Sequence, residues 1–277
     1  MKVRIVSDSA ANLYALEGVD FVSVPLKIIT EEREYVDRPG LNVAEMVEEL
    51  HRTKGPSRTS CPSTYEWLEA FEGADGIFAV TISGALSGSH AAAVHAREEY
   101  LQAHPDAKVC VIDTLSAGAE MLLIVEKLRS LIQRELPFEQ IEKEIAAYRK
   151  RTHVLFCLQS LNNLARNGRI SPAIAKLAGV LGIRVLGKGS EEGQLQALHK
   201  CRGEKRMLET TFSEMKKAGF CGGRVHIAHC LNEAAAQQLR QLILREHPGC
   251  AATIGDCTGL CSFYAEKGGL IVGYEGA

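Results

Sequence analysis

Residues 76–89 read GIFAVTISGALSGS, and this stretch determines the class of fold. The apolar run Gly76–Thr81 predicts a buried strand, and the pattern that begins at Ser89 predicts a helix directly after it. A short turn of small and hydroxyl-bearing residues lies between the two elements. A strand, a small polar turn and a helix start form an anion pocket in α/β proteins, because the helix dipole and free N–H groups favour negative charge there.

The rest of the first half repeats this alternation of strand and helix. Apolar runs predict strands at Val3–Val6, Phe21–Ile29 and Lys108–Ile112. Helical spacing predicts helices at Val43–Lys54, after Pro62 with Ser60 as a nearby cap, at Ala117–Arg134 and at Phe138–Lys150. Such alternation is typical of a mostly parallel sheet flanked by helices.

The second half predicts a mixed sheet. Strands are expected at Val154–Leu158, Gly182–Leu186, Gln194–His199, Arg224–His229, Cys250–Gly255 and Gly269–Tyr274. Helices are expected at Ser160–Arg166, Pro172–Gly179, Glu204–Lys217 and Asn232–Glu246. The second and third strands would pair as a hairpin. We therefore predict two α/β domains, a Rossmann-like one at residues 1–150 and a mixed-sheet one at 151–277, with the ligand between them.

Composition excludes several classes of function. The 277 residues are 46% hydrophobic and 24% charged with a net charge of −2, so no overall field attracts nucleic acid or an anionic membrane. The start of the chain resembles a strand rather than a signal peptide, and no apolar run has the length of a membrane span. The nine cysteines are scattered without a CxxC pair, as expected of reduced thiols. A cytoplasmic protein without stable membrane insertion is predicted.

Several polar turns are expected at one edge of the first sheet. The predicted strands end at Ser7-Asp8-Ser9, at Thr81-Ile82-Ser83 and at Asp113-Thr114, and ligands of open α/β sheets lie beyond these ends. A second hydroxyl pair, Thr59 and Ser60, precedes another helix. Together with Ser87 and Gly88 it could give a carboxylate or phosphate several charge-assisted hydrogen bonds. Each segment taken alone is equally consistent with an ordinary helix cap.

Catalytic and cofactor patterns are weak. Neither segment matches the phosphate-loop or dinucleotide motifs, so no cofactor is predicted. His226 and His229, three residues apart in a strand, would face opposite sides, and no metal site is predicted from them with Cys230, Cys257 and Cys261. The chain also lacks a Gly-x-Ser-x-Gly elbow. A binding protein rather than an enzyme is expected.

Two alternatives stay open at this stage. An enzyme of small phosphorylated or carboxylated metabolites would use Asp8 or Asp113 as acid or base at the same edge. A regulatory protein would use a bound lipid only as a signal. The turn Arg166-Asn167-Gly168-Arg169 offers two arginines for a carboxylate or phosphate, or is simply a surface turn.

Five segments in one order resemble the DegV family of bacterial fatty-acid-binding proteins. They are Ile5-Val6-Ser7-Asp8-Ser9, Thr59-Ser60-Cys61-Pro62-Ser63, residues 82–89, Val111-Ile112-Asp113-Thr114 and Arg166-Asn167-Gly168-Arg169-Ile170-Ser171. Members of that family typically have TSQPS, LSGTY and RGGRIS at three of these places. The likeness spans nearly the whole chain.

The resemblance implies a protein that encloses one long-chain fatty acid. Its carboxylate would meet Thr59 and Ser87 with the amides of Ser87 and Gly88, and its acyl chain would fill an apolar tunnel between the domains. Members present the acid to a separate fatty acid kinase. The matching arginines Arg166, Arg169 and Arg202 are then candidates for head-group or kinase contact.

One segment departs from the family pattern. The family commonly has His-Thr-Gly-Pro-Gly near the C-terminus, where this chain has Cys257-Thr258-Gly259-Leu260-Cys261. Cys257 thus stands in for a histidine close to the head group, and a neutral thiol supplies neither its charge nor its two-ended hydrogen bonding. Cys61 likewise replaces the glutamine of TSQPS.

Overall fold

The computed structural model of the chain describes residues 2–52, 55–171, 174 and 182–277. Its strands are β1 Val3–Asp8, β2 Asp20–Val24, β3 Lys27–Ile29, β4 Glu34–Val36, β5 Arg58–Ser60, β6 Gly76–Thr81, β7 Lys108–Asp113, β8 Thr152–Leu158, β9 Ile183–Gly189, β10 Leu195–Arg202, β11 Val225–His229, β12 Ala252–Asp256 and β13 Leu270–Glu275. Its helices are α1 Val43–Arg52, α2 Thr64–Phe71, α3 Ser89–Ala103, α4 Ala119–Gln133, α5 Phe138–Arg149, α6 Asn162–Arg166, α7 Glu204–Lys217, α8 Glu233–Glu246 and α9 Gly259–Ala265.

The first sheet is parallel, as predicted. Its four strands have the order β2-β1-β6-β7, and all three pairings are parallel. All six residues of β6 are buried, which explains its uninterrupted apolar sequence. Ser7 pairs with Val80 and Thr81 pairs with Asp113, so the polar strand ends do meet at one edge.

The predicted strand Phe21–Ile29 is wrong as a single element. It divides at Pro25 into β2 and β3, which belong to different sheets. Proline has no N–H to donate to a sheet ladder, so the chain leaves the parallel sheet there. The second piece joins β4 and β5 in a three-stranded antiparallel sheet that was not predicted.

The second sheet is mixed, as predicted. Its six strands have the order β10-β9-β8-β13-β11-β12, with β11 and β12 parallel and the other pairs antiparallel. The hairpin β9–β10 is confirmed. The predicted helix Pro172–Gly179 lies outside the described residues, except for Ile174.

Helix α4 lies between the two large sheets. It packs against β1 of the first sheet and against β8, β11 and β13 of the second. Its residues Ala119–Val125 are all buried, as expected for a helix covered on every side. The strands of the first large sheet all precede residue 150, and those of the second all follow it. The domain boundary at this position stays a prediction.

The start of α2 differs from the prediction in its cap. Ser63, not Ser60, accepts the Glu66 N–H, and the Glu66 carboxylate accepts the Ser63 N–H in return. This reciprocal arrangement satisfies two N–H groups of the helix start. No helix within the described ranges is long and apolar enough to cross a membrane.

Candidate functional site

An apolar cavity lies between the edge of the first sheet and the second sheet. Its volume is about 820 Å³, part of which is open to solvent, and we term this space the tube. Most of its lining is apolar: Leu26, Ile82, Leu86, Leu115, Ala117, Val154, Phe156, Leu158, Leu164, Leu195, Leu260, Cys261, Ala265 and Ile271.

Polar side chains that line the cavity are concentrated at its mouth. Ser87 and Arg169 line both the cavity and an open cleft outside it, and Thr59 and Tyr264 also belong to the lining. Ser116 is the further polar member, and its hydroxyl is already engaged as a donor to Glu120, 2.6 Å away. The structure thus brings together the two predicted hydroxyl residues at one end of an apolar tube.

Thr59 reaches the cavity because β5 pairs with β3. Thr59 stands opposite Ile28 in this ladder, and its Oγ1 lies 2.7 Å from the hydroxyl of Tyr264 on α9. Burial raises the pKa of the Tyr264 phenol above its ordinary value, although the hydrogen bond with Thr59 opposes this. Tyr264 is therefore a neutral hydroxyl that holds Thr59 in place, and sequence analysis did not identify it.

Residues 82–89, which we term the Ser87 turn, form a compact loop before α3. The Ser83 carbonyl accepts the N–H groups of Leu86 and Ser87, and Ser87 Oγ accepts the Ser89 N–H at 3.2 Å. A Cβ added to Gly88 would lie 3.2 Å from Cys61 Sγ, so this turn touches the loop that follows β5. The two predicted helix beginnings are neighbours in space.

Asp8 supports the Ser87 turn from inside the protein. It is fully buried, and it accepts hydrogen bonds from the Ile82 N–H at 2.9 Å and from the Ser89 hydroxyl at 2.7 Å. Burial raises the pKa of Asp8 to about 7, while the hydrogen bonds from Ser89, Ile82 and Ala10 act to lower it. Asp8 lies behind the turn and does not line the cavity.

Arg169 supplies positive charge at the mouth. Its Nε donates to the Leu86 carbonyl at 3.1 Å, and its guanidinium lies 6.0 Å from the centre of the Tyr264 ring. Within the ranges that the structure describes, no carboxylate pairs with this half-buried side chain. Its Nη1 also donates to the Asn167 carbonyl, and the other N–H groups of the guanidinium are left for an anion.

A second buried carboxylate, Asp37, holds the start of α9. It accepts the N–H groups of Gly259 at 2.7 Å and Leu260 at 2.9 Å, together with the Tyr14 hydroxyl at 2.5 Å. Burial raises its pKa, against the effect of these hydrogen bonds. Because Asp37 is more than 220 positions from α9 in the chain, no local pattern predicts this cap. It fixes the helix that carries Tyr264.

Five predicted site residues do not line the cavity, and one of them, Gly88, lines the open cleft outside it. Ser60 neighbours Thr59 in a strand and so points to the other face, where its hydroxyl donates to the Cys61 carbonyl. Arg166 and Arg202 are exposed at the ends of α6 and β10. Cys257 is buried beside β11, where its N–H donates to the His229 carbonyl, and Cys261 lines the cavity instead. Burial raises the pKa of both thiols, so both are neutral.

Groups considered for catalysis or metal binding have local structural contacts. Asp113 accepts the N–H groups of Gly84 and Leu115 in a turn. His226 is hydrogen-bonded to Thr253, and the Nδ1 of His229 lies 3.4 Å from an oxygen of Asp256. Among the described residues, no group of three or more His, Cys, Asp or Glu side chains could hold a metal ion. All nine cysteines are free thiols.

Fold and site together define a class: α/β proteins in which a parallel and a mixed sheet enclose an apolar tube with a polar mouth. A family profile described as "uncharacterised protein, DegV family" matches residues 2–275. The chain belongs to the DegV family.

Relatives and solved structures are similar along their full length. The chain is 44% identical over 279 residues to DegV domain-containing protein spr0652 of Streptococcus pneumoniae, covering 99% of each chain. The structure of the Streptococcus pneumoniae Fatty Acid Kinase (Fak) B3 protein loaded with linoleic acid is 44% identical, with a TM-score of 0.98 and complete coverage of both chains. A DegV family protein from Eubacterium eligens loaded with heptadecanoic acid is 41% identical, with a TM-score of 0.97 over 99% of this chain and 100% of that one.

Proposed function

We propose that this protein binds one long-chain fatty acid and presents it to a fatty acid kinase, without being an enzyme itself. The observation that carries this proposal is the tube: its walls are apolar, and Thr59, Ser87 and Arg169 stand together where it opens. A molecule with one anionic end and a long methylene chain matches both parts. The fatty acids in the similar solved structures have this chemistry.

The acyl chain supplies most of the binding free energy. Each buried methylene contributes about 0.8 kcal/mol, so a dozen or more contribute on the order of 10 kcal/mol before ordering costs. The apolar lining of the tube offers few polar partners to water and favours methylene groups. This apolarity thus selects a long aliphatic tail.

The head group is held as an anion. Thr59 Oγ1 and the Tyr264 hydroxyl lie 2.7 Å apart, and either can donate to the other; with Tyr264 as the donor, the Thr59 hydroxyl proton is left for one carboxylate oxygen. The Ser87 hydroxyl and the Gly88 N–H, at the start of α3, donate hydrogen bonds to the other carboxylate oxygen, and Arg169 lies beside them. Hydrogen bonds and positive charge of this kind favour the ionised carboxylate.

Presentation to a kinase requires that the carboxylate be reachable. Ser87 and Arg169 also line the open cleft outside the cavity, so the head group would lie at the surface while the tail is enclosed. The name of the similar Streptococcus pneumoniae protein, Fatty Acid Kinase B3, supports this role. The phosphoryl transfer itself belongs to the partner, because Asp8 and Asp113 line neither the cavity nor the cleft and accept backbone N–H groups instead.

Native mass spectrometry of the purified protein tests lipid binding. We expect one fatty acid per chain, and after delipidation a stoichiometric uptake of added palmitic acid. Incubation of the loaded protein with a fatty acid kinase and ATP should give acyl phosphate, whereas the protein with ATP alone should give none. Absence of both bound lipid and uptake would refute the proposal.

A further inference from the structure

Asp8 contacts both ends of the Ser87 turn with one oxygen atom. Its Oδ2 accepts the Ile82 N–H at 2.9 Å and the Ser89 hydroxyl at 2.7 Å, while its Oδ1 accepts the Ala10 N–H at 3.3 Å. Ile82 and Ser89 are the first and last residues of the turn. A single buried carboxylate oxygen therefore fixes the distance between them.

The link continues from Asp8 to the group at the mouth. Ser89 is fully buried, and its N–H donates to Ser87 Oγ at 3.2 Å. The hydroxyl and the N–H of Ser89 thus join Asp8 on one side to Ser87 on the other. A shift of Ser89 would move the Ser87 hydroxyl and the Gly88 N–H together.

We infer that Asp8 is a positioning residue for head-group binding, which aims Ser87 and Gly88 at the ligand carboxylate through Ser89. The inference rests on the proposed function and deepens it, since Asp8 itself does not line the cavity. It also gives a role to the Ser7-Asp8-Ser9 segment, which the catalytic alternative would have used as an acid or base.

The contacts require two acceptor oxygens at position 8. In Asp8→Asn the amide has one acceptor oxygen, and its NH₂ group must face at least one of the N–H donors of Ala10 and Ile82. Either orientation sets two buried donors against each other, at Ala10 or at Ile82, and this displaces the side chain on which both contacts to the turn depend. The change in volume is minimal, which separates this effect from packing.

The test uses palmitic acid labelled with ¹³C at its carboxyl carbon. The carboxyl ¹³C resonance of the bound acid reports its hydrogen bonds directly, and titration of delipidated protein gives the affinity. We expect Asp8→Asn to move this resonance and to weaken binding about tenfold, the lower end of the effect known for residues that orient metal ligands.

Glu120→Gln is the matched control. Glu120 is also a buried carboxylate, and it accepts hydrogen bonds from the hydroxyls of Ser116 at 2.6 Å and Thr152 at 2.8 Å. It makes no direct contact with the Ser87 turn, whose Ser83 N–H is accepted by the Ser116 carbonyl, and a hydroxyl can turn to accept from the amide of Gln. A purely structural role of Asp8 predicts similar behaviour for the two variants. We expect Glu120→Gln to leave the resonance and the affinity as in the unmodified protein.

Ser89→Ala provides the second variant, because it removes the same link with a smaller change. It should move the resonance in the same way, and its effect should not add fully to that of Asp8→Asn. If folded Asp8→Asn keeps the original affinity and resonance, the inference is refuted. If Asp8→Asn does not fold, a Ser89→Ala variant with the affinity and resonance of the unmodified protein would refute the inference. If the unmodified protein takes up no palmitic acid, the proposed function itself fails.

Discussion

Removal of the Ser87 hydroxyl should weaken the binding of a fatty acid more than that of its methyl ester. In Ser87→Ala the carboxylate loses one charge-assisted hydrogen bond and keeps Thr59 and Arg169. Such a bond contributes about 1.5–3 kcal/mol, which is about a 10- to 150-fold change in Kd. The Ser89 N–H loses its acceptor in both the free and the loaded protein, so that loss largely cancels.

The ester isolates this contact because it has no negative charge. Hydrogen bonds between neutral groups are roughly half as strong, so Ser87→Ala should weaken ester binding by only a few-fold. Isothermal titration of the delipidated unmodified protein and of Ser87→Ala, each with palmitic acid and with methyl palmitate, gives the four Kd values. Ser213→Ala, an exposed serine on α7, serves as the control. Equal losses for acid and ester, or no loss for either, would refute the placement of the head group.

Three further predictions concern the tube, the second hydroxyl and a buried acid. Ala117→Phe should fill part of the tube and displace about two methylenes, which costs about 1.6 kcal/mol or roughly fifteenfold in affinity for palmitic acid but little for decanoic acid; equal losses in titrations with both acids would contradict this. Thr59→Val preserves shape but removes the hydroxyl, so titration should show about tenfold weaker binding, and unchanged binding would place Thr59 outside the site. Burial raises the pKa of Glu120 to about 7, so the folded protein holds this proton more tightly than the unfolded chain; its stabilisation is complete below about pH 4.5 and is lost as the pH rises through 7. The fall in unfolding free energy between pH 5 and pH 8, measured in urea, should therefore be smaller in Glu120→Gln by up to roughly 3 kcal/mol, and an unchanged pH dependence would show that Glu120 is not the group responsible.

Local sequence signals were sufficient to predict the polar edge of the parallel sheet and the turn that carries Ser87. The apolar run of β6 and the small residues after it predicted the Ser87 turn. A parallel sheet then had to place that turn beside the ends of β1 and β7. Thr59 was found as part of a hydroxyl pair before a predicted helix, but its strand has only three residues, which no periodicity could indicate.

Long-range contacts account for what the sequence did not predict. Helix α9 has only seven residues, and its first N–H groups are satisfied by Asp37, the residue that follows β4. Tyr264, which holds Thr59, lies in an apolar segment that resembles ordinary core. Ser60 was expected beside Thr59, but consecutive residues of a strand face opposite sides. Cys257 was placed at the head group by motif alignment, whereas Cys261, one helical turn later, lines the cavity.

The most direct test of the account is a crystal structure of the protein loaded with a fatty acid brominated near its methyl end. Anomalous scattering should place the bromine among apolar residues of the tube such as Val154, Phe156 and Ile271, with the carboxylate within hydrogen-bonding distance of Thr59 and Ser87. Bromine at the mouth, or acid bound only on the outer surface, would contradict the claim that the tube holds the tail and the two hydroxyls hold the head.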